Sequence, residues 1–238
     1  MSPLSLSARI AGIDTDGLTE DLGAFGCAVI PALLTAAECA DMSALYPDDA
    51  AFRSHIHMAR HGFGKGEYKY FGYPLPDMVA TLRAETYPAL VPVANDWNAR
   101  MGIETRFPDD HRTYLEQCHK AGQLRPTPLL LQYVEGDFNC LHQDVYGDLL
   151  FPLQMAVLLS EPNKDFTGGA FVLTEQRPRM QSRAEVVPLR QGDAVVFAVR
   201  NRPVKGTRGD YRVTMRHGVS RLRSGMRHTL GIIFHDAT

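Results

Sequence analysis

No stretch of this sequence approaches the ~18 consecutive apolar residues that a membrane-spanning helix requires, so no membrane association is expected. The opening residues, MSPLSLSARIAG, lack a basic region followed by an apolar one, so no secretory signal is expected either. Cysteine is scarce. Cys27, Cys39, Cys118 and Cys140 form no C-x-x-C pair, which removes the usual zinc-knuckle and dithiol-redox patterns. The expectation is reduced thiols in a cytoplasmic protein. Internal repeats and low-complexity tracts are absent. An excess charge of one sign is absent overall, with a formal net charge of −2.

That balance conceals an asymmetry. Between Arg177 and Arg227 lie twelve arginines and Lys205, opposed only by Glu185, Asp193 and Asp210, a local charge of +10. Such a segment can attract an anionic polymer or an anionic small substrate. It can equally be a solvated arginine-rich face on strands. Of the 238 residues, 45% are hydrophobic, enough for one sizeable core.

The first half reads as helical. Thr35-Ala36-Ala37-Glu38 is a capping box, in which hydroxyl and carboxylate satisfy each other's backbone amides. It starts a helix that runs through Met42 and stops near Tyr46-Pro47. A second helix is expected from Pro76 to Ala99, with Met78, Val79, Leu82 and Tyr87 at helical spacing. Gly26 to Pro31 reads as a short strand. The stretch 61–74, with four glycines and five aromatics among lysines, reads as a loop. Its Tyr68, Lys69 and Tyr70 are candidates for contact with a substrate, or for packing on the core beneath.

From Pro128 the pattern changes to short apolar runs separated by Gly, Pro and Asn. Strands are expected at 129–134, 153–159, 170–173, 185–189, 194–199, 213–222 and 227–234. Many short strands without alternating helices imply a sandwich or barrel. The expected class is therefore α+β. Residues 1–125 form a mainly helical support region and 126–238 an all-β core, integrated into one domain.

His142-Gln143-Asp144 stands at the start of that core. In extended chain, residues two apart point to one face, so this tripeptide brings an imidazole and a carboxylate to one point. Alone the motif is common, and a surface His near an Asp is the plain reading. Here it heads an ordered set. After strand 153–159 come Gly168-Gly169, Val186-Val187-Pro188, Gly192 through Phe197, His217-Gly218-Val219 and Gly225-Met226-Arg227. From Leu129 to His235 this order resembles the double-stranded β-helix (jelly-roll) core of the Fe(II)/2-oxoglutarate-dependent dioxygenases, most closely their prolyl-hydroxylase-like branch.

The resemblance implies that His142, Asp144 and His217 ligate Fe(II), and that Arg227 holds the far carboxylate of 2-oxoglutarate. Tyr133 would hydrogen-bond the same co-substrate, although a tyrosine bonded to backbone is an equal reading. The implied reaction consumes 2-oxoglutarate and O₂, hydroxylates a C–H bond and releases succinate and CO₂. Strand parity can be added. If Arg223-Ser224-Gly225 forms a three-residue hairpin loop with Gly225 at positive φ, Arg227 pairs with Arg221. Residues 217, 219, 221, 227 and 229 then share one face, which adds Arg221 and Thr229 to the co-substrate site. His228 should point away, and His235 ends the last strand. Asp137 and Asp148 read as loop caps, and His111 and His119 as surface residues of a helix.

The stretches Phe63 to Phe71 and Arg216 to Arg221 also resemble a bacterial group within this superfamily described as oxygenases acting on damaged nucleic acid. That implies oxidative demethylation of a base, with arginines on phosphates and an aromatic stacked on the extruded base. A prolyl, amino-acid or protein hydroxylase remains open at this point. So does a cupin-like module that binds metal without turnover.

Overall fold

A computed structural model describes residues 4–238. Its first three helices begin where the sequence supplies side-chain caps. Ser5 accepts from the Ala8 amide to start α1 (Leu6–Ala11), and Asp14 from Gly17 to start α2 (Thr15–Phe25). Gly26, at φ 78°, ends α2 in the left-handed conformation and turns the chain into β1 (Cys27–Ile30). The Thr35–Glu38 capping box forms as expected and opens α3 (Ala36–Ala44). Glu38 also pairs with Arg9 at 2.6 Å, which ties α3 to α1.

Next come β2 (Phe52–His57), β3 (Gly64–Lys65), β4 (Glu67–Phe71), α4 (Asp77–Arg100) and α5 (His111–Lys120). The expected helix at 76–99 is α4, and it continues through Pro88 and Pro92. Its buried Leu82, Leu90, Val91 and Trp97 explain why tertiary packing prevails over proline here. The 61–74 stretch is not a loop. Half of it forms β3 and β4, and Tyr68 and Tyr70 share one strand face.

The second half supplies β5 (Leu129–Val134), β6 (Phe138–His142), β7 (Leu153–Leu158), β8 (Phe166–Gly168), β9 (Phe171–Gln176), β10 (Arg183–Val187), β11 (Ala194–Ala198), β12 (Asn201–Gly206), β13 (Gly209–Val219) and β14 (Leu222–Ile233). The named strands pair antiparallel in two sheets. The larger runs β1-β11-β7-β14-β5-β4-β2, with β8 beside β14; the smaller runs β10-β9-β13-β6-β3, with β12 beside β13. β7 and β11 are buried along their whole length, so β11 reads as an unbroken apolar run and β7 as one interrupted only by Gln154. β9 is half-buried and alternates. Strands from the first 125 residues enter both sheets, so that region is more than helical support.

A buried polar lock joins α4 to the end of β14. Arg83 Nη2 bonds Asp236 Oδ1 at 2.7 Å, and Tyr73 Oη and His119 Nε2 reach Asp236 Oδ2 at 2.8 Å each. Arg83 and Asp236 are 1% and 0% exposed. His111, expected at the surface, is instead buried with its Nε2 2.8 Å from the Phe234 carbonyl. Burial pushes its pKa down to about 4. It faces the apolar side of α5, which the eight-residue spacing to His119 did not show.

The expected Arg223-Ser224-Gly225 hairpin does not form. β13 and β14 lie in opposite sheets, linked by Ser220-Arg221. Gly225 does take φ 78°, but its role is closeness: a Cβ there would lie 2.0 Å from the Asp165 carbonyl oxygen on the chain entering β8. Arg227 pairs with Tyr133 across β14 and β5, not with Arg221.

Candidate metal and co-substrate site

The two sheets enclose a cavity of about 220 Å³. β6 and β13 are neighbours, and His142 stands directly opposite His217 in their register, with ring centroids 4.2 Å apart. β6 ends at His142, and Asp144 lies just beyond it in irregular chain. Gln143 is tied to β13, its Nε2 donating to the Met215 carbonyl at 2.8 Å.

Asp144 sits between the two imidazoles. Its Oδ1 is 3.4 Å from His142 Nε2, and its Oδ2 is 3.4 Å from His217 Nε2. Metal–N and metal–O bonds of about 2.0–2.2 Å place adjacent donors about 3 Å apart, so the three atoms suit one ion. His142 Nδ1 donates to the Cys140 carbonyl at 2.7 Å, which fixes the tautomer and leaves Nε2 free as a ligand. Tyr146 Oη donates to Asp144 Oδ1 at 2.9 Å and orients the carboxylate. Burial would raise the Asp144 carboxyl, but hydrogen bonds and charge from His142 and His217 hold it well below the usual carboxylate range. Burial lowers His217, whose ring packs against Phe197 and Phe171.

The same cavity holds an uncompensated cation. Arg227 is 2% exposed. Among the described residues its guanidinium meets only Thr229 Oγ1, at 2.5 Å, and the rings of Tyr133 and Phe166 at 5.7 and 5.8 Å. Among them its Nε has no partner, and none of their carboxylates pairs with it. Burial pulls its pKa down to about 10. A buried charge is costly unless paired, so this arginine calls for an anion inside the cavity. Gly169 makes room for it: a Cβ there would lie 3.1 Å from Arg227 Cδ and 2.3 Å from Leu222 Cδ1.

Of the residues expected from sequence, His142, Asp144, His217, Arg227, Thr229, Tyr133 and Tyr68 all line the cavity. Tyr70 lies one step behind, its Oη 3.2 Å from that of Tyr146. Two expectations fail. Arg221 is exposed on the link between the sheets, because the hairpin that would have aimed it inward does not exist. Lys69 points to the opposite face of β4 from Tyr68 and Tyr70; its Nζ bonds the Tyr46 carbonyl at 2.9 Å and Asp49 at 2.6 Å. Tyr146, Asn139 and Gln154 were missed. Gln154 is the one polar residue of apolar β7, and its buried Nε2 in the cavity wall has no partner among the described residues. A glutamine inside such a run is a signal that could have been read.

The basic segment is also less uniform than its sequence. Arg202 is buried and paired with Glu175, which Arg177 and Arg183 also reach. Arg227 lies in the cavity. The cations that remain exposed include Arg179, Arg190, Arg216, Arg221 and Arg223.

Two imidazoles and a carboxylate converge inside a jelly roll, the donor set of the non-haem Fe(II) oxygenases. Residues 66–237 match the Oxygenase-NA family, described as an oxygenase catalysing oxidative methylation of damaged DNA, and the chain belongs to that family. It is 48% identical over 167 residues to an uncharacterised protein of Mycobacterium tuberculosis (strain H37Rv), covering 70% of this chain and 72% of that one. Solved structures share the fold at low identity. A prolyl-4-hydroxylase from Pseudomonas putida gives a TM-score of 0.52 at 16% identity, covering 98% of this chain and 100% of that one. A Trichoplax adhaerens prolyl hydroxylase in complex with a hypoxia-inducible-factor peptide gives 0.56 at 14%, covering 95% and 90%. No helix among the described residues is long and apolar enough to cross a membrane.

Proposed function

We propose that the chain is an Fe(II)- and 2-oxoglutarate-dependent dioxygenase that oxidises an N-methyl group on a damaged nucleic-acid base. The observation that carries the reading is Arg227, a buried unpaired cation in the same cavity as His142, Asp144 and His217. A dicarboxylate co-substrate supplies the missing charge, and a planar guanidinium can hold its far carboxylate through two hydrogen bonds. Thr229 Oγ1 fixes the guanidinium, and Tyr133 and Phe166 wall it from solvent.

The donor set fits Fe(II), and iron bound there would activate O₂ while 2-oxoglutarate is oxidised to succinate and CO₂. The chain's own residues do the positioning. His142 and His217 present Nε2, Asp144 is kept ionised by its neighbours, and Tyr146 holds its orientation. Phe171 and Phe197 keep the His217 side dry. Hydroxylation of an N-methyl carbon gives an N-hydroxymethyl group, which breaks down to formaldehyde and the restored N–H.

The family match supports the nucleic-acid substrate, and Phe63 adds to it. This ring lines the cavity while 47% exposed, and it stacks on His61 at 5.3 Å and 22°. An exposed aromatic at a cavity wall can accept a base face. The test compares succinate and formaldehyde release with methylated oligonucleotides and with proline-containing peptides. Stimulation by the oligonucleotides, weakened by added salt, supports the reading. Stimulation by the peptides alone would replace it with a protein hydroxylase.

A further inference from the structure

The outer face of the larger sheet carries a second convergence of metal-ligand side chains. β2 places His55 and His57 two residues apart on one face, and β4 sets Glu67 directly opposite His57 and diagonal to His55. Glu67 Oε2 is 2.6 Å from His55 Nε2 and 3.3 Å from His57 Nδ1. The two rings lie 4.4 Å apart. One ligand atom from each residue falls within 4.8 Å of the others, the same grouping that His142, Asp144 and His217 make. Tyr68, next along β4, lines the cavity, so Glu67 and its partners lie on the opposite face of the strand.

The surroundings favour a cation. Lys69, the residue opposite His55, is drawn away, with its ammonium held by Asp49 Oδ1 and the Tyr46 carbonyl. Tyr46 packs edge-on to His55 at 6.4 Å and is 5% exposed, and its hydroxyl has no partner among the described residues. An ordinary surface ion pair needs one imidazole per carboxylate, whereas here two imidazoles aim at the same oxygen.

We propose that His55, His57 and Glu67 bind one divalent transition metal of the zinc class (Zn(II), Co(II) or Ni(II)), with water completing the shell. Two imidazoles and one carboxylate suit these ions, whereas Mg(II) and Ca(II) prefer all-oxygen shells. The ion clips edge strand β2 to β4, the strand that delivers Tyr68 to the cavity. The site is separate from the catalytic one and does not depend on what the enzyme oxidises.

The test is calorimetric titration with Zn(II). A His142→Ala/Asp144→Ala variant, stripped of two catalytic-site ligands, is expected to bind one ion per chain. Adding His57→Ala or Glu67→Ala should take that to none, and excess Mg(II) should not compete. If the catalytic-site variant fails to fold, the otherwise native protein decides through the exposed His57→Ala change, which should lower the stoichiometry from two to one. No ion bound by the catalytic-site variant, or a stoichiometry unmoved by His57→Ala and Glu67→Ala, overturns the proposal.

Discussion

Replacing Arg227 with methionine should strengthen the resting protein and disable it for its co-substrate. Burial lowers the pKa of Arg227 from 12.5 to about 10, a penalty on the charged form. At 1.36 kcal/mol per pKa unit, this amounts to about 3 kcal/mol. Methionine keeps most of the volume and removes the charge. The lost bond to Thr229 Oγ1 gives back about 1 kcal/mol. The net gain is about 2 kcal/mol, or roughly 4–8 °C in Tm for a chain of this size. Co-substrate binding moves the other way. Removing one partner of a buried charge pair costs about 2–5 kcal/mol, so 2-oxoglutarate affinity should fall at least about 30-fold. Thermal unfolding with and without 2-oxoglutarate and a redox-inert divalent metal reads both effects. A variant that melts well below the parent, yet is still stabilised by 2-oxoglutarate, would refute the assignment of Arg227 as an unpaired anion anchor.

Asp144→Ala should abolish high-affinity metal binding at the cavity and all succinate formation, while far-ultraviolet circular dichroism stays unchanged. Asp236→Ala leaves Arg83 buried without its carboxylate and should cost about 3–5 kcal/mol in urea unfolding; a loss under about 1 kcal/mol would contradict the lock. Gly169→Ala forces a Cβ against Leu222 at φ 59°. It should cost about 2–4 kcal/mol and weaken 2-oxoglutarate binding through Arg227. His111 is neutral in the fold, with a pKa of about 4 against an ordinary 6.5. Between those values the unfolded chain binds the extra proton, so stability is full above pH 6.5 and falls as the pH drops toward 4. His111→Phe should remove about 3 kcal/mol of that fall, read as the difference between the two urea-derived pH profiles.

The catalytic half was legible because its signals are local and ordered. The strand at 129–134, the His142–Asp144 spacing, the Gly168-Gly169 turn and His217 each rest on a few adjacent residues. The hairpin expectation holds only if the strands before and after Ser224 are neighbours in one sheet. In two facing sheets, consecutive strands β13 and β14 lie on opposite walls, so each must be counted against its own neighbours. Counted in that way, Arg227 opposite Tyr133 faces inward and Arg221 does not. Lys69 was misplaced for a related reason. Once Glu67–Phe71 is a strand, Tyr68 and Tyr70 share one face, and Lys69 goes with Glu67 to the other. Tyr146 and Asn139 were out of reach, because their roles depend on Asp144 and Tyr133 arriving beside them in the fold.

The claim that the cavity is a 2-oxoglutarate-using iron site is tested most directly by anaerobic titration of the protein with Fe(II) and 2-oxoglutarate, monitored by visible absorption. A weak charge-transfer band should appear only when both are present, be absent in Asp144→Ala, and require far more 2-oxoglutarate in Arg227→Met. No band in the native protein, or an equal band in Asp144→Ala, would contradict the account.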